Sequence, residues 1–267
     1  MTADLPEYEL YAIRYATREA RRADHFIGGD PHDAPMPMDY FVWLAKGAGR
    51  VVVIDAGFTE PVARKRKRTF LRCPVEALAL FGVRPEDVQD VVLTHLHYDH
   101  VGNFHLFPHA RFHLQEPELH FAVGRYMKYR QLAHSFEVDD VVGLVRLNYA
   151  GRVNLLAGRF DLAPGIELRP APGHSAGLQF LRIHTQRGWV VLASDVTHYY
   201  EHMETYRPFT TALHIGQMME GFDLLRAAAP SMAHIVPGHD PEVMRRYKPP
   251  RPELEGIAVR LDVAPLE

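Results

Sequence analysis

The sequence predicts an α/β fold in which two β-sheets pack together under covering helices. Both halves of the chain carry short strand-like segments with helical stretches between them, the pattern of layered sheets. Residues 51–55 and 91–94 are nearly unbroken apolar runs, which mark strands buried on both faces. The composition allows such a core: of 267 residues, 47% are hydrophobic and 24% charged, so extensive disorder is not expected.

The elements follow in order. Residues 8–17 alternate in the manner of a strand. A Gly- and Pro-rich loop covers 28–38, and its Met36 and Met38 either form an apolar lid or pack down. Residues 40–45 and 51–55 read as a hairpin. The basic run Arg64-Lys65-Arg66-Lys67-Arg68 is a solvated helix or loop face, with attraction of an anionic substrate or partner as the alternative. A helix over 74–81 is closed by Gly82, and Pro85 opens a turn. Strands are expected at 91–94 and 110–115, and helix over most of 116–149. In the second half, 152–156, 166–169, 178–184 and 189–193 are strand-like, 216–228 is helical, and 234–237 is a last short strand. No boundary is visible, so 1–267 reads as a single domain with a helical insertion at 116–150 and an extended tail at 248–267.

Several function classes are disfavoured. A net charge of -3 gives no general pull toward nucleic acid or an anionic membrane. A single cysteine, Cys73, excludes an intramolecular disulfide framework and a cysteine-rich zinc module, and reads as an inert thiol. No apolar run approaches the roughly 18 residues of a membrane span. The first seven residues lack the features of a signal peptide, so a cytoplasmic location is expected.

Seventeen histidines point to metal or proton chemistry. In His95-Leu96-His97-Tyr98-Asp99-His100, three imidazoles and a carboxylate follow an apolar strand directly. Such donors suit zinc and its neighbours. Four donors exceed what one open catalytic zinc site needs, which suggests two ions. Pro172-Gly173-His174 and Pro237-Gly238-His239 each follow a strand, and Asp195 ends another. His105, His109, His113 and His202 read as structural.

The series His95-x-His97-x-Asp99-His100, His174, Asp195, His239 resembles the metallo-β-lactamase superfamily, and most closely its quorum-quenching N-acyl homoserine lactone lactonases. The gaps of 21 residues from His174 to Asp195 and 44 from there to His239 resemble the lactonase pattern, and the 74 from His100 to His174 are somewhat long. The resemblance implies an αββα sandwich with a metal site at one edge. It implies that His95, His97 and His174 hold one divalent ion, that Asp99, His100 and His239 hold a second, and that Asp195 bridges them. Zinc is the expected metal, with iron, manganese or cobalt as alternatives. The implied reaction is opening of a small-molecule lactone by a hydroxide shared between the ions, with Asp99 as proton shuttle. A homodimer is a further expectation. Another ester, a thioester or a cyclic amide is the alternative substrate, and a non-catalytic metal or redox protein the competing class.

One position departs from the family pattern. Such lactonases place a tyrosine three residues after the bridging aspartate, and here that position is His198, with Tyr199 next. Either His198 or Tyr199 assists at the carbonyl oxygen, or neither does.

Overall fold

A computed structural model describes residues 5–266. Residues 1–4, part of the stretch read above for a leader, and residue 267 lie outside the described residues.

The first half builds one sheet. Strand β1 (Glu9–Arg18) pairs antiparallel with β2 (Met38–Gly47), in register Ile13 to Val42. A two-residue turn with Ala48 and Gly49 at positive φ leads into β3 (Arg50–Ile54), as the hairpin reading expects. Helix α1 (Glu60–Arg66) carries the basic run and stops at Lys67 in a left-handed conformation. A two-residue strand β4 (Thr69–Phe70) joins the edge of β1. The helix expected at 74–81 is instead a 3-10 segment, Glu76–Phe81, closed by Gly82 at φ 67°.

Strand β5 (Asp90–Val92), helix α2 (Tyr98–Val101) and strand β6 (Arg111–Gln115) follow. The helical stretch is broken into α3 (Glu116–Ala122), a 3-10 turn, α4 (Arg130–Ala133) and α5 (Val138–Tyr149) before β7 (Val153–Leu156). The second sheet comprises β8 (Phe160–Ala163), β9 (Ile166–Pro170), β10 (Gln179–Thr185), β11 (Gly188–Ser194) and, after α6 (Tyr200–Thr205) and α7 (Ile215–Ala228), β12 (Ile235–Pro237). Helix α8 (Glu242–Arg246) precedes β13 (Ala258–Arg260).

The first sheet runs β13-β1-β2-β3-β5-β6-β7, with β4 beside β1, and the second runs β12-β11-β10-β9-β8. The sequence reading therefore needs one correction at the C-terminus. Residues 248–267 do not form only an extended tail, and 234–237 is not the last strand. Strand β13 pairs Val259 with Ala12 and buries Ala258, Val259 and Leu261, because apolar side chains there complete the edge of the first sheet. Strand β8 was also missed, since four residues between Gly158 and Gly165 show little alternation.

The apolar runs bury on both faces for a simple reason. Successive side chains of a strand point to opposite sides. In β2, Phe41, Trp43 and Ala45 join the core shared with Phe180, Leu181 and Val191 of the second sheet. Tyr40, Val42 and Leu44 join the other core, with Leu78, Leu119 and Leu144 from the covering segments. The first sheet thus lies between two apolar layers. Among the described residues, no helix is long and apolar enough to cross a membrane.

Candidate metal centre

Every expected ligand sits just beyond the C-terminal end of a strand or within the short helix that follows. Strands β3 and β5 are parallel neighbours, as are β11 and β12, so their ends reach one edge of the sandwich. Residue 95 comes three positions after β5 ends, and His97 is the residue before α2, with extended φ and ψ of -65° and 152°. The chain then turns, which carries Asp99 and His100 on the first turn of α2 round to a second point.

The two Pro-Gly-His segments need their glycines. Gly173 has φ 139°, and a Cβ there would meet the Met218 amide nitrogen at 2.5 Å. A Cβ on Gly238 would meet Ser194 O at 2.6 Å and Asp195 Oδ1 at 3.0 Å. Glycine therefore lets the chain before His174 and His239 come close to its neighbours.

The assembled donors form adjoining buried groups that could hold metal ions. His95, His97, His174 and Asp195 form one, and Asp99, His100 and His239 another. Asp195 faces both. Its Oδ2 lies 3.1 Å from His174 Nε2 and 3.7 Å from His95 Nε2. Its Oδ1 lies 3.0 Å from His239 Nε2 and 3.3 Å from His100 Nε2. Asp99 Oδ2 is 3.8 Å from both His100 Nε2 and His239 Nε2.

Partners on the far side of each ring set which nitrogen faces inward. His174 Nδ1 donates to Thr211 O at 2.8 Å, and His239 Nδ1 to Asp39 O at 2.9 Å. His100 Nδ1 donates to Asp55 Oδ2 at 2.7 Å. The Nε2 atoms of these rings are left for the centre, as in metal-bound histidines with an outer hydrogen bond. Among the described residues, the Nε2 atoms of His95 and His100 are buried without a well-formed hydrogen bond, Asp195 being their nearest carboxylate. Such orphaned atoms are costly in a metal-free protein, so this donor set fits divalent ions. Burial, together with the neighbouring imidazoles, pushes the His95 and His97 pKa values well below the usual histidine range, toward the neutral form that binds metal. Burial works against ionised Asp195, yet the surrounding imidazoles, His198 and His239 first, hold its pKa well below the carboxylate range.

The chain matches the family model of the "Metallo-beta-lactamase superfamily" over residues 36–239, a span that contains all of these donors. The chain belongs to the metallo-β-lactamase superfamily. It is 33% identical to an N-acyl homoserine lactonase of Bacillus thuringiensis over 138 residues, 51% of this chain and 49% of that protein. The match thus spans about half the length of that relative. A metallo-beta-lactamase domain-containing protein 1 from Xenopus laevis is 30% identical over 217 residues, covering 80% of this chain and 75% of that one. Among solved structures, an N-acyl homoserine lactone hydrolase with N-hexanoyl-L-homoserine at its metal centre superposes with a TM-score of 0.74 at 20% identity, covering 90% and 96% of the two chains. The two mixed sheets with flanking helices are the fold of this superfamily.

Other residues of the metallo-β-lactamase edge were missed by sequence reasoning. Asp55, fully buried with φ 63°, accepts from the Thr94 amide at 2.7 Å and the Thr94 hydroxyl at 2.8 Å while holding His100. Ser194, at φ 46°, donates its hydroxyl to Thr94 Oγ1 at 2.8 Å. Glu118 is fully buried and accepts from the Leu96 amide at 3.0 Å and the Gly177 amide at 2.6 Å. It thereby ties the His95–His97 segment to the loop of His174. The apolar run ending in Asp55 was a signal that a strand ends there; Glu118 had none.

His198 and Tyr199 part ways. The His198 ring stacks on Phe209 at 3.8 Å between centroids, with Nε2 3.1 Å from Asp195 Oδ2. Tyr199 is turned away, which corrects the expectation that it could serve the carbonyl oxygen. Its hydroxyl donates to Pro37 O at 3.0 Å and lies 3.1 Å from His25 Nε2, buried in the wall behind the site. His105 and His109 are exposed, and His113 pairs with Asp90 at 2.9 Å, so none of them approaches the centre. Met38 is buried and lines the cleft, while Met36 packs on the core; the loop packs down.

Two recesses open from the centre. One of about 230 Å³ is lined by Phe121, Leu132, Phe136, Thr211 and Leu213 and holds no Lys, Arg, Asp or Glu. The other, of about 100 Å³, is lined by Arg18, Arg66, Arg68, Tyr40, Asp99, His198 and His239.

Proposed function

We propose that this chain is a dinuclear metal-dependent hydrolase that opens a lactone ring, with N-acyl homoserine lactones the leading candidates. The observation that carries this reading is Asp195, each of whose oxygens faces a different His/Asp group. In this reading His95, His97 and His174 hold one ion, Asp99, His100 and His239 the other, and Asp195 both, with zinc favoured by the imidazole and carboxylate donors. Two such ions supply a nucleophile at neutral pH and polarise a carbonyl oxygen. The names of the Bacillus relatives support the lactone class.

The chain's own residues do the rest. Asp99, at the rim of the second group, takes the proton released on attack and delivers it to the leaving alkoxide. Burial pushes the His198 pKa well below the usual histidine range, so its ring is neutral and keeps one N–H to donate. Phe209 fixes that ring at the cleft with its Nε2–H toward Asp195 Oδ2; with Asp195 engaged by the ions, this N–H is released to stabilise charge growing on the carbonyl oxygen. The uncharged recess receives the acyl part of the substrate. A homodimer through residues 116–150 is part of the proposal, supported by exposed Val138 and Tyr149 on α5.

A pH-indicator assay tests the reaction on protein reconstituted with zinc, manganese or cobalt. Short and long acyl homoserine lactones, a γ-lactone, a glutathione thioester and nitrocefin form the panel. Metal-dependent opening of the homoserine lactones is expected. Silence on every lactone at two ions per chain refutes the lactonase reading. Light scattering in solution tests the dimer.

A further inference from the structure

We propose that Arg18 and Arg68 form a subsite for an anionic group of the substrate, a carboxylate or a phosphate, beside the metal centre. This rests on the hydrolase reading and deepens it: among lactones, those that also carry an anionic group are preferred. Arg68 sits just past α1, at the end of the basic run, and Arg18 ends β1; both are half-buried and line the same recess as Asp99, His198 and His239.

Neither is in salt-bridge contact with a carboxylate among the described residues, although the charge of Asp99 acts on Arg68 from across the recess. Nearby arginines have carboxylate partners: Arg14 pairs with Asp39 at 3.2 Å and Arg66 with Glu137 at 2.8 Å. Arg18 and Arg68 have none among the described residues. Arg68 is instead held in place, its Nε donating to Tyr98 Oη at 3.1 Å and its Nη1 to Arg66 O at 2.7 Å, while Arg66 stacks over the Tyr98 ring at 3.8 Å. Nη2 has no protein partner among the described residues. The carboxylates lining the recess, Asp99 and Asp195, belong to the metal-binding groups. A half-buried guanidinium with fixed orientation and no carboxylate in direct contact is poised for a planar anion. The neighbouring recess carries no such charge, so a substrate with one anionic and one uncharged arm has a single orientation across the centre.

The test compares 5-oxotetrahydrofuran-2-carboxylate with its carboxamide, an uncharged isostere. It also compares binding of their ring-opened products by calorimetry, on protein with metal content verified. The acid forms are expected to show at least about tenfold higher kcat/KM and about tenfold tighter binding than the amides. That ratio falls at high salt, and it drops to within about twofold in the double variant R18Q/R68Q. Arg64→Gln, an exposed residue paired with Glu60, keeps the ratio. Equal binding of acid and amide by the unmodified protein overturns the subsite, even if both lactones are opened. A full ratio retained by a folded, metal-loaded R18Q/R68Q protein overturns it too. If neither lactone is opened but the binding ratio stands and vanishes in the double variant, the subsite holds and the lactonase reading fails.

Discussion

His198 is where the chain departs from the lactonase pattern, and it makes a sharp prediction. A side chain that donates only as charge develops contributes to kcat more than to ground-state binding. His198→Phe should lower kcat by roughly 10²–10³-fold while two ions per chain remain, as elemental analysis would show. Its Nε2 also falls within a group with Asp195 and His239 that could hold an ion, so loss of metal in this variant would recast it as a ligand. Tyr199→Phe should leave kcat within a few-fold, because its hydroxyl is engaged with Pro37 and His25. It should cost about 1 kcal/mol of stability in a denaturant titration. Asp195→Ala should drop metal content below two ions per chain, since both groups lose the oxygen that faces them.

Helix α3 matters to the centre through one side chain. Glu118→Ala would leave the buried amides of Leu96 and Gly177 without a partner, at about 1–3 kcal/mol each. A lower melting temperature and weaker metal affinity in a chelator competition are expected. This element also shows what was legible in the sequence. The candidate ligands could be picked out because they lie in short local motifs at the ends of apolar runs, and Pro-Gly before two histidines marks places where a side chain would collide. Glu118 could not, because its role consists of accepting from amides 22 and 59 positions away along the chain. The same holds for Tyr199: adjacency to position 198 suggested equivalence, but consecutive residues entering α6 point different ways. Strand β13 was hidden for a related reason, as three residues in a Pro-rich stretch become a strand only because β1 offers an open edge.

At the scale of the whole molecule, stability should depend on pH through a group far from the metals. Asp140 on α5 has its pKa raised to about 7, by burial first and then by the charges of Glu137 and Asp139. A carboxyl raised in the folded state binds its proton more tightly there than in the unfolded chain. Its favourable contribution is therefore full below about pH 4 and lost as pH rises through about 7. Asp140→Asn should remove this slope and stabilise the protein at pH 8 by on the order of 1–2 kcal/mol, after allowance for partial solvent access, with little effect at pH 4. Melting curves at the two pH values check it. The Asp55–Thr94–Ser194 chain of hydrogen bonds has a different consequence. It joins the end of β3, the segment after β5 and the end of β11 without any metal atom taking part. The two sheets are therefore riveted at the very edge where the ions would sit. Chelation should empty a preformed socket rather than melt the sandwich, so exchanging one metal for another should require no passage through the unfolded chain.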